Sequence, residues 1–242
     1  MNRYGLIGRT LKHSFSKQYF ENKFFTEGIE AAYSLYELET IDDFHNLVTR
    51  TEGLAGLNVT IPYKVEVIPY LDELSTEAAA IGAVNCIAIR NGRRIGHNTD
   101  IIGIEKSLET LCTDSHMRAL VLGTGGASKA VQYALRKHAI PHTVVSRESS
   151  RGDITYAKLS RDVISAHHLI INTTPLGMYP NIETAPELDY SAITAEHCIF
   201  DLVYNPSPTR FMELCRAHGA KTLGGELMLR VQAEASWDIW NR

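Results

Sequence analysis

The sequence predicts an α/β protein in two lobes, each built on a mainly parallel sheet. Three observations carry this. Short apolar stretches alternate with helical patterns along the whole chain, a hairpin signal at Asn91-Gly92 interrupts the alternation, and a glycine-rich stretch from Gly123 restarts it. Strands that alternate with helices build parallel sheets covered by those helices. The 242 residues suffice for two modest domains, at the usual roughly 100–200 residues each.

Taken in order, "RYGLIG" reads as a strand, "SKQYFENKFFTEG" as a helix and "AAYSLYELE" as a strand. "TIDDFHNLVTRT" reads as a helix with a threonine cap, and "LAGLNVTI" as the next strand. In that strand Leu57, Val59 and Ile61 alternate with Asn58 and Thr60, the period of two that a half-buried strand shows. A proline stops it and Lys64 follows. Its polar face either meets solvent or lines a pocket. "VNCIAIRNGRRIGHNTD" reads as two short strands joined through Asn91-Gly92, a type I′ hairpin signal.

The helix "DIIGIEKSLETLC" leads away, and "MRALVLGTGGASKAVQYALRKH" opens the second lobe as a strand, a turn and a helix starting near Ala127. "HTVVSR", "HLIINTT" and "HCIFDLVY" are further strands. "PTRFMELCRAHG" is a helix that starts after Pro208 and ends at Gly219, and a last helix runs from about Glu226 to Trp240, with Trp237 and Trp240 pinning it. The expected division is residues 1–101 with 226–242, and residues 102–225.

Composition narrows the classes of function. A hydrophobic fraction of 44% and a charged fraction of 21% are those of a soluble globular protein. The net charge of −4, with acids and bases mixed throughout, leaves no basic footprint for nucleic acid. No stretch reads as a signal peptide or a membrane span. Cys86, Cys112, Cys198 and Cys215 are scattered without a CxxC pair, which points to reduced thiols in a cytoplasm and to no metal site. Of the histidines, His167-His168 read as a helix–strand junction and His13 as a neighbour of Ser14 in its loop.

"VLGTGGAS" joins a strand to a helix through Gly123, Gly125 and Gly126. Such glycines either allow close helix–strand packing or let the backbone approach a pyrophosphate at the helix N-terminus. The strand before, the helix after and the continuing rhythm favour a dinucleotide. Where a NAD site usually carries an acid, the following strand ends in Ser146 and Arg147. Arg147 and Arg151 can pair with a 2′-phosphate, which favours NADP; Glu148 lies between them and would repel that phosphate unless it points away or pairs with Arg147. In the first lobe, Ser14 and Ser16 lie two apart just before a helix. They can bind a carboxylate, although one of them can equally be an ordinary cap. Asn85 precedes the hairpin and Asn98 to Asp100 end it; Asp100 is either functional or the cap of the next helix.

Together "HSFS", "NVTIPYK", "GAVN", "NTDIIG", "GTGGAS", "NTTPLGM", "DLVYNPSPT" and "GGELMLRVQ", in order from about Tyr4 to Gln232, resemble the shikimate dehydrogenase family. The resemblance implies an N-terminal α/β substrate domain, a Rossmann-like dinucleotide domain with a cleft between them, and NADP-dependent reversible reduction of 3-dehydroshikimate to shikimate. It implies Lys64 and Asp100 as the catalytic pair and Ser14 and Ser16 as binders of the substrate carboxylate. Asn58, Thr60, Asn85 and Gln232 then match groups around the ring hydroxyls, and Tyr204 an aromatic near the substrate. Gly123, Gly125, Gly126, Ala127 and Ser128 match the phosphate turn and Arg147 the 2′-phosphate arginine, while Thr173, Met178 and Gly225 border the cofactor. The sequence departs from the family at Lys17, at "SRESSR" and at Leu227. Two alternatives stay open: a quinate/shikimate dehydrogenase that also uses NAD, and a non-catalytic sensor of shikimate or dinucleotide. A monomer and a homodimer are both compatible with the sequence.

Overall fold

The computed structural model describes residues 1–11, 14–111 and 117–242; His13 and Cys112 lie outside the described residues. The elements are β1 (Asn2–Gly8), α1 (Phe15–Glu27), β2 (Ala31–Glu37), α2 (Asp43–Arg50), β3 (Leu54–Val59), β4 (Glu73–Leu74), α3 (Thr76–Ile81), β5 (Cys86–Arg90), β6 (Arg93–His97) and α4 (Asp100–Leu111). They continue with β7 (Ala119–Leu122), α5 (Gly126–Lys137), β8 (His142–Ser146), β9 (Ile154–Thr155), α6 (Arg161–Ser165), β10 (Leu169–Asn172), β11 (Cys198–Asp201), α7 (Arg210–Arg216), β12 (Lys221–Leu223) and α8 (Glu226–Trp240). The chain divides into two units: Met1–Thr99 with Ala233–Arg242, and Asp100–Gln232. The second crossing thus falls inside α8, later in the chain than Gly225.

The first unit holds a six-stranded sheet of order β2-β1-β3-β5-β6-β4. β1 pairs in parallel with β2 and β3, and β4 with β6, whereas β5 runs antiparallel to β3 and β6. The antiparallel turn is the hairpin at Asn91 and Gly92, both at positive φ (50° and 77°), as a type I′ turn requires. The period of two divides the sheet between two cores. Leu6, Cys86 and Ala88 face α1 and the end of α8, packing with Phe20, Tyr33 and Trp240. Their sequence neighbours Ile7 and Ile87 face Phe44, Leu57, Tyr63 and Val84. The last helix is pinned by its tryptophans: Tyr4 stacks on Trp240 at 4.8 Å and meets Trp237 edge-on at 5.4 Å, and Trp240 Nε1 donates to the Ile87 carbonyl at 3.0 Å. Any side chain at Gly56 would run into the Trp240 ring, so a glycine is what lets β3 pass beneath it.

The second unit is a six-stranded sheet, all parallel, of order β12-β11-β10-β7-β8-β9. The order reverses on either side of β7, and the crevice at the carboxyl ends of such strands is where doubly wound sheets bind ligands.

Three local expectations are corrected, and two elements are added. β3 ends at Val59, so Thr60 lies beyond the strand and does not share its polar face with Asn58. α2 starts after Asp42, without a side-chain cap, so Thr40 does not cap it. α7 ends at Arg216, ahead of Gly219, which sits at φ 87° in the turn that follows. Between Lys64 and Val84 the chain adds β4 and α3, whose short apolar stretches carry no periodic signal.

Candidate active site

Ser14 is extended (φ −71°, ψ 119°) at the start of α1, yet its side chain caps no backbone amide. Its Oγ is buried without a hydrogen-bond partner among the described residues, and the first turn carries no acidic side chain. The leading amides of a helix point outward with a partial positive charge, so this end is built to take an anion. Ser16 does not precede the helix, as its spacing suggested. It lies in the first turn, buried, beside the Tyr33 hydroxyl.

From Tyr33 a chain of buried polar groups crosses the first unit. The Tyr33 hydroxyl donates to Asn58 Oδ1 at 2.8 Å, and burial pushes this phenol well above its ordinary range. Asn58 Nδ2 donates to Ser236 Oγ at 3.0 Å and to the Asn85 carbonyl at 3.3 Å. Ser236 Oγ lies 3.1 Å from Thr99 Oγ1. Asn85 closes the chain: its Oδ1 accepts the Thr99 amide at 2.7 Å and its Nδ2 donates to Thr99 Oγ1 at 3.1 Å. Asn58 is therefore buried with both ends of its side chain bonded inside the unit, and it braces Asn85. Tyr33, Thr99 and Ser236 had no local signal, because their partners are far away in sequence.

Thr99 immediately precedes Asp100, which is buried and is the first residue of α4, not its cap. Asn85 thus fixes the backbone of Thr99, the residue before Asp100. Asn98 Nδ2 donates to the Ala83 carbonyl at 2.9 Å, and its Oδ1 is buried without a partner among the described residues. Lys64 is half-buried in the turn after Pro62. The Thr60 amide donates to the Ile7 carbonyl at 2.9 Å, the Tyr63 hydroxyl donates to the Leu38 carbonyl at 2.7 Å, and the Lys64 carbonyl accepts the Val84 amide at 2.7 Å. Three anchors therefore hold residues 60–64 against β1, the residue after β2 and the lead-in to β5.

In the second unit, β7 runs into the glycine turn. Gly123 has φ +108°, and a Cβ there would lie 2.8 Å from Thr173 Oγ1; both strain and contact require glycine. A Cβ on Gly125 would meet nothing within 4 Å. Gly125 is the cap residue of α5, with no side-chain bond to the first-turn amides and no acid in that turn. Gly126 and Ala127 are half-buried in the turn. Ser128 is buried and donates to the Gly123 carbonyl at 2.7 Å, so its hydroxyl closes the turn from within. Thr173 donates both its amide and its hydroxyl to the Leu122 carbonyl, at 3.0 and 2.7 Å.

At the end of β8, buried Ser146 accepts the Glu148 amide at 3.1 Å. Glu148 pairs with Arg151 at 3.7 Å, not with Arg147, and both side chains of that pair are exposed. Arg147 is exposed beside it. Open space over Gly125, uncapped amides and an exposed arginine fit a pyrophosphate and a 2′-phosphate. Met178 is exposed, and Tyr204 half-buried. Any side chain at Gly225 would strike the Leu202 carbonyl, and Gln232 is buried, donating to the Leu229 carbonyl at 2.9 Å. Cys86, Cys198 and Cys215 are buried thiols. Among the described residues, no three His, Cys, Asp or Glu side chains come together as a metal site, and no helix is long and apolar enough to cross a membrane.

Residues 6–87 match the family model described as shikimate dehydrogenase substrate binding domain. A Clostridium perfringens protein named shikimate dehydrogenase (NADP(+)) is 36% identical over 256 residues, which cover 100% of this chain and 93% of that one. The shikimate 5-dehydrogenase of Thermus thermophilus, solved in complex with NADP(H) and shikimate, superposes with a TM-score of 0.89 at 29% identity, over 99% of this chain and 93% of its own. The quinate dehydrogenase of Corynebacterium glutamicum, solved with NAD, superposes with a TM-score of 0.88 at 30% identity, over 99% and 93%.

Proposed function

Because the chain belongs to the shikimate dehydrogenase family, we propose that it catalyses the NADP-dependent, reversible reduction of 3-dehydroshikimate to shikimate, a step towards chorismate and the aromatic amino acids. The observation that carries this reading is the start of α1. A helix N-terminus without an acid or a side-chain cap, with the Ser14 hydroxyl buried and unspent beside it, suits a substrate carboxylate.

NADPH supplies the hydride when bound, held by the amides at Gly125 to Ala127 and by Arg147, with Arg151 exchanging Glu148 for the 2′-phosphate. Thr173, Met178 and Gly225 border it, and Ser146 and Ser128 hold the backbone that receives it. Lys64 stabilises the negative charge that builds on the substrate carbonyl oxygen and donates a proton to it. Asp100 orients Lys64 and accepts a hydrogen bond from a substrate hydroxyl. In the oxidative direction Lys64 takes the hydroxyl proton. Thr60, Asn85 and Gln232 bind ring hydroxyls, and a site built for hydroxyls rejects analogues that lack them. Tyr204 packs near the ring, and Ser14 and Ser16 hold the carboxylate. The hydrogen bonds of Asn58 support a bracing role behind Asn85.

The test compares shikimate with its methyl ester as substrates for oxidation. Turnover of shikimate with at least tenfold poorer kcat/KM for the ester, and loss of that discrimination in Ser14→Ala, is the expected result. Equal use of both would remove the carboxylate from the account. A second reading, oxidation of shikimate or quinate with NAD, rests on Glu148, whose exposed carboxylate can accept hydrogen bonds from ribose hydroxyls once it leaves Arg151.

A further inference from the structure

The second unit buries a carboxylate that the proposed chemistry does not use. Asp201, the last residue of β11, is fully buried, and its two oxygens gather three donors from separate places. Asn172 Nδ2, at the end of β10, donates to Oδ1 at 2.9 Å. The Val203 amide, in the loop after β11, donates to the same oxygen at 3.0 Å. Thr209 Oγ1 donates to Oδ2 at 2.6 Å while accepting the Met212 amide at 3.2 Å as the cap of α7. Asn172 Oδ1 in turn accepts the amide and hydroxyl of Thr174, at 3.0 and 2.6 Å. A further bond, from the Tyr179 amide to the Asn205 carbonyl at 3.2 Å, joins the same two loops farther out.

We propose that Asp201 is a positioning residue for the cofactor: its carboxylate locks the loop after β10, which carries Thr173 and Met178, to the loop after β11. The inference rests on reading the second unit as the NADP-binding one. Three observations favour a functional hub over a filler of the core. The loops it joins leave the carboxyl ends of β10 and β11, on the side where β7 enters the glycine turn. Thr173, adjacent to Asn172, is itself bonded to Leu122 at the mouth of that turn. And a buried carboxylate is a costly way to fill space that an apolar side chain would fill without penalty. An ionised carboxylate accepts from all three donors at once, whereas a protonated one keeps Thr209 only by donating to its hydroxyl, which reverses that bond and frees the Thr209 proton.

Burial raises the carboxyl of Asp201 to about 6. The titratable groups that face it are the Tyr190 phenol, from the turn at residues 190–192, and the Cys215 thiol of α7. Burial raises both, Cys215 to about 12, and Arg210 adds a fixed positive charge near Tyr190. Asp201 is thus the group of this cluster that changes charge between pH 5 and 7.5.

The experiment is a calorimetric titration of NADP into wild type, Asp201→Asn and Thr209→Val at pH 7.5 and at pH 5, with thermal unfolding of each free protein alongside. The asparagine keeps the volume, but its NH2 meets Thr209 only by donating to that hydroxyl, the reversal that protonation of the acid also imposes. At pH 7.5 the Asp201→Asn protein is expected to bind NADP at least tenfold more weakly than wild type with no comparable loss of thermal stability. At pH 5 that ratio should shrink towards one, because wild type has then lost its carboxylate too; the titration of the NADP phosphate is common to both proteins and cancels. Thr209→Val, which keeps the charge and removes one donor together with the cap of α7, should weaken binding about threefold or more beyond any loss of thermal stability, and it carries the test if the asparagine variant does not fold. A ratio below two at pH 7.5, or a larger ratio that does not change with pH, overturns the inference. Binding is read without turnover, so wild type that binds NADP but does not oxidise shikimate would remove the proposed reaction and leave this inference to be judged. Wild type that binds no NADP would overturn both.

Discussion

Replacing Asn58 by leucine removes three hydrogen bonds from the interior of the first unit while keeping the side chain's branched heavy-atom skeleton. The Tyr33 hydroxyl loses its acceptor at 2.8 Å and Ser236 loses its donor at 3.0 Å. The Asn85 carbonyl keeps the Val59 amide at 2.8 Å. A buried polar group left without its partner costs about 1–3 kcal/mol. Tyr33 is 3% exposed and keeps only Ser16 beside its hydroxyl, so it takes the larger share of that cost. Ser236 retains Thr99 at 3.1 Å and loses less. The sum is about 2–4 kcal/mol, which urea unfolding of wild type, Asn58→Leu, Tyr33→Phe and the double variant would measure. The two single changes break one shared bond, so the double variant should be more stable than the sum of the two losses implies, by about 0.5–3 kcal/mol. Because Asn58 touches no reacting atom in this account, the shikimate KM of Asn58→Leu should rise far less than that of a residue in contact with substrate. A variant with wild-type stability and a shikimate KM raised a hundredfold would refute the reasoning and put Asn58 against the substrate, as its place in "NVTIPYK" first suggested.

Lys64→Ala should lower turnover by at least about 100-fold, with NADP affinity unchanged by calorimetry; retained turnover would take Lys64 out of its role. Arg147→Ala should weaken NADP much more than NAD, and equal losses in steady-state KM would undo the phosphate assignment. The Asp201 carboxyl, at about 6, lies above its ordinary 3.8, so the folded protein holds that proton more tightly than the unfolded chain does, and stability falls as pH rises from about 4 to 6. The shift corresponds to roughly 3 kcal/mol at most, and Asp201→Asn, which cannot ionise, should gain stability relative to wild type across that window by an amount of this order in chemical unfolding. Cys86, buried and pushed up to about 12, should resist alkylation in the native protein at pH 8 and react only on unfolding, as intact-mass measurement would show.

Much of the architecture was legible because its signals are local. The short apolar runs at Leu6-Ile7 and Cys86 to Ile89 mark strands directly, and Asn91-Gly92 dictates the hairpin. The glycine turn was legible for the same reason, since Gly123 answers to a single backbone angle and a single close contact. What escaped is what depends on distance. Asn58 reads as half of a polar face that meets solvent or lines a pocket until Ser236, 178 residues away, is seen to accept from its amide. Ser16 reads as a cap because spacing alone does not say where a helix begins; the helix takes it into its first turn. Glu148 invited pairing with its neighbour Arg147, but residues three apart on a turn meet more readily, and Arg151 is its partner. Asp201 looks like an ordinary strand end until Asn172 and Thr209 converge on it.

The proposed reaction is tested most directly by the steady-state rate of shikimate oxidation with NADP and with NAD, followed by the absorbance of the reduced nicotinamide. Turnover is expected with a kcat/KM for NADP at least tenfold above that for NAD, because Arg147 and Arg151 serve the 2′-phosphate. Equal or better use of NAD would contradict it, giving Glu148 the ribose and turning the protein towards the quinate-type reaction.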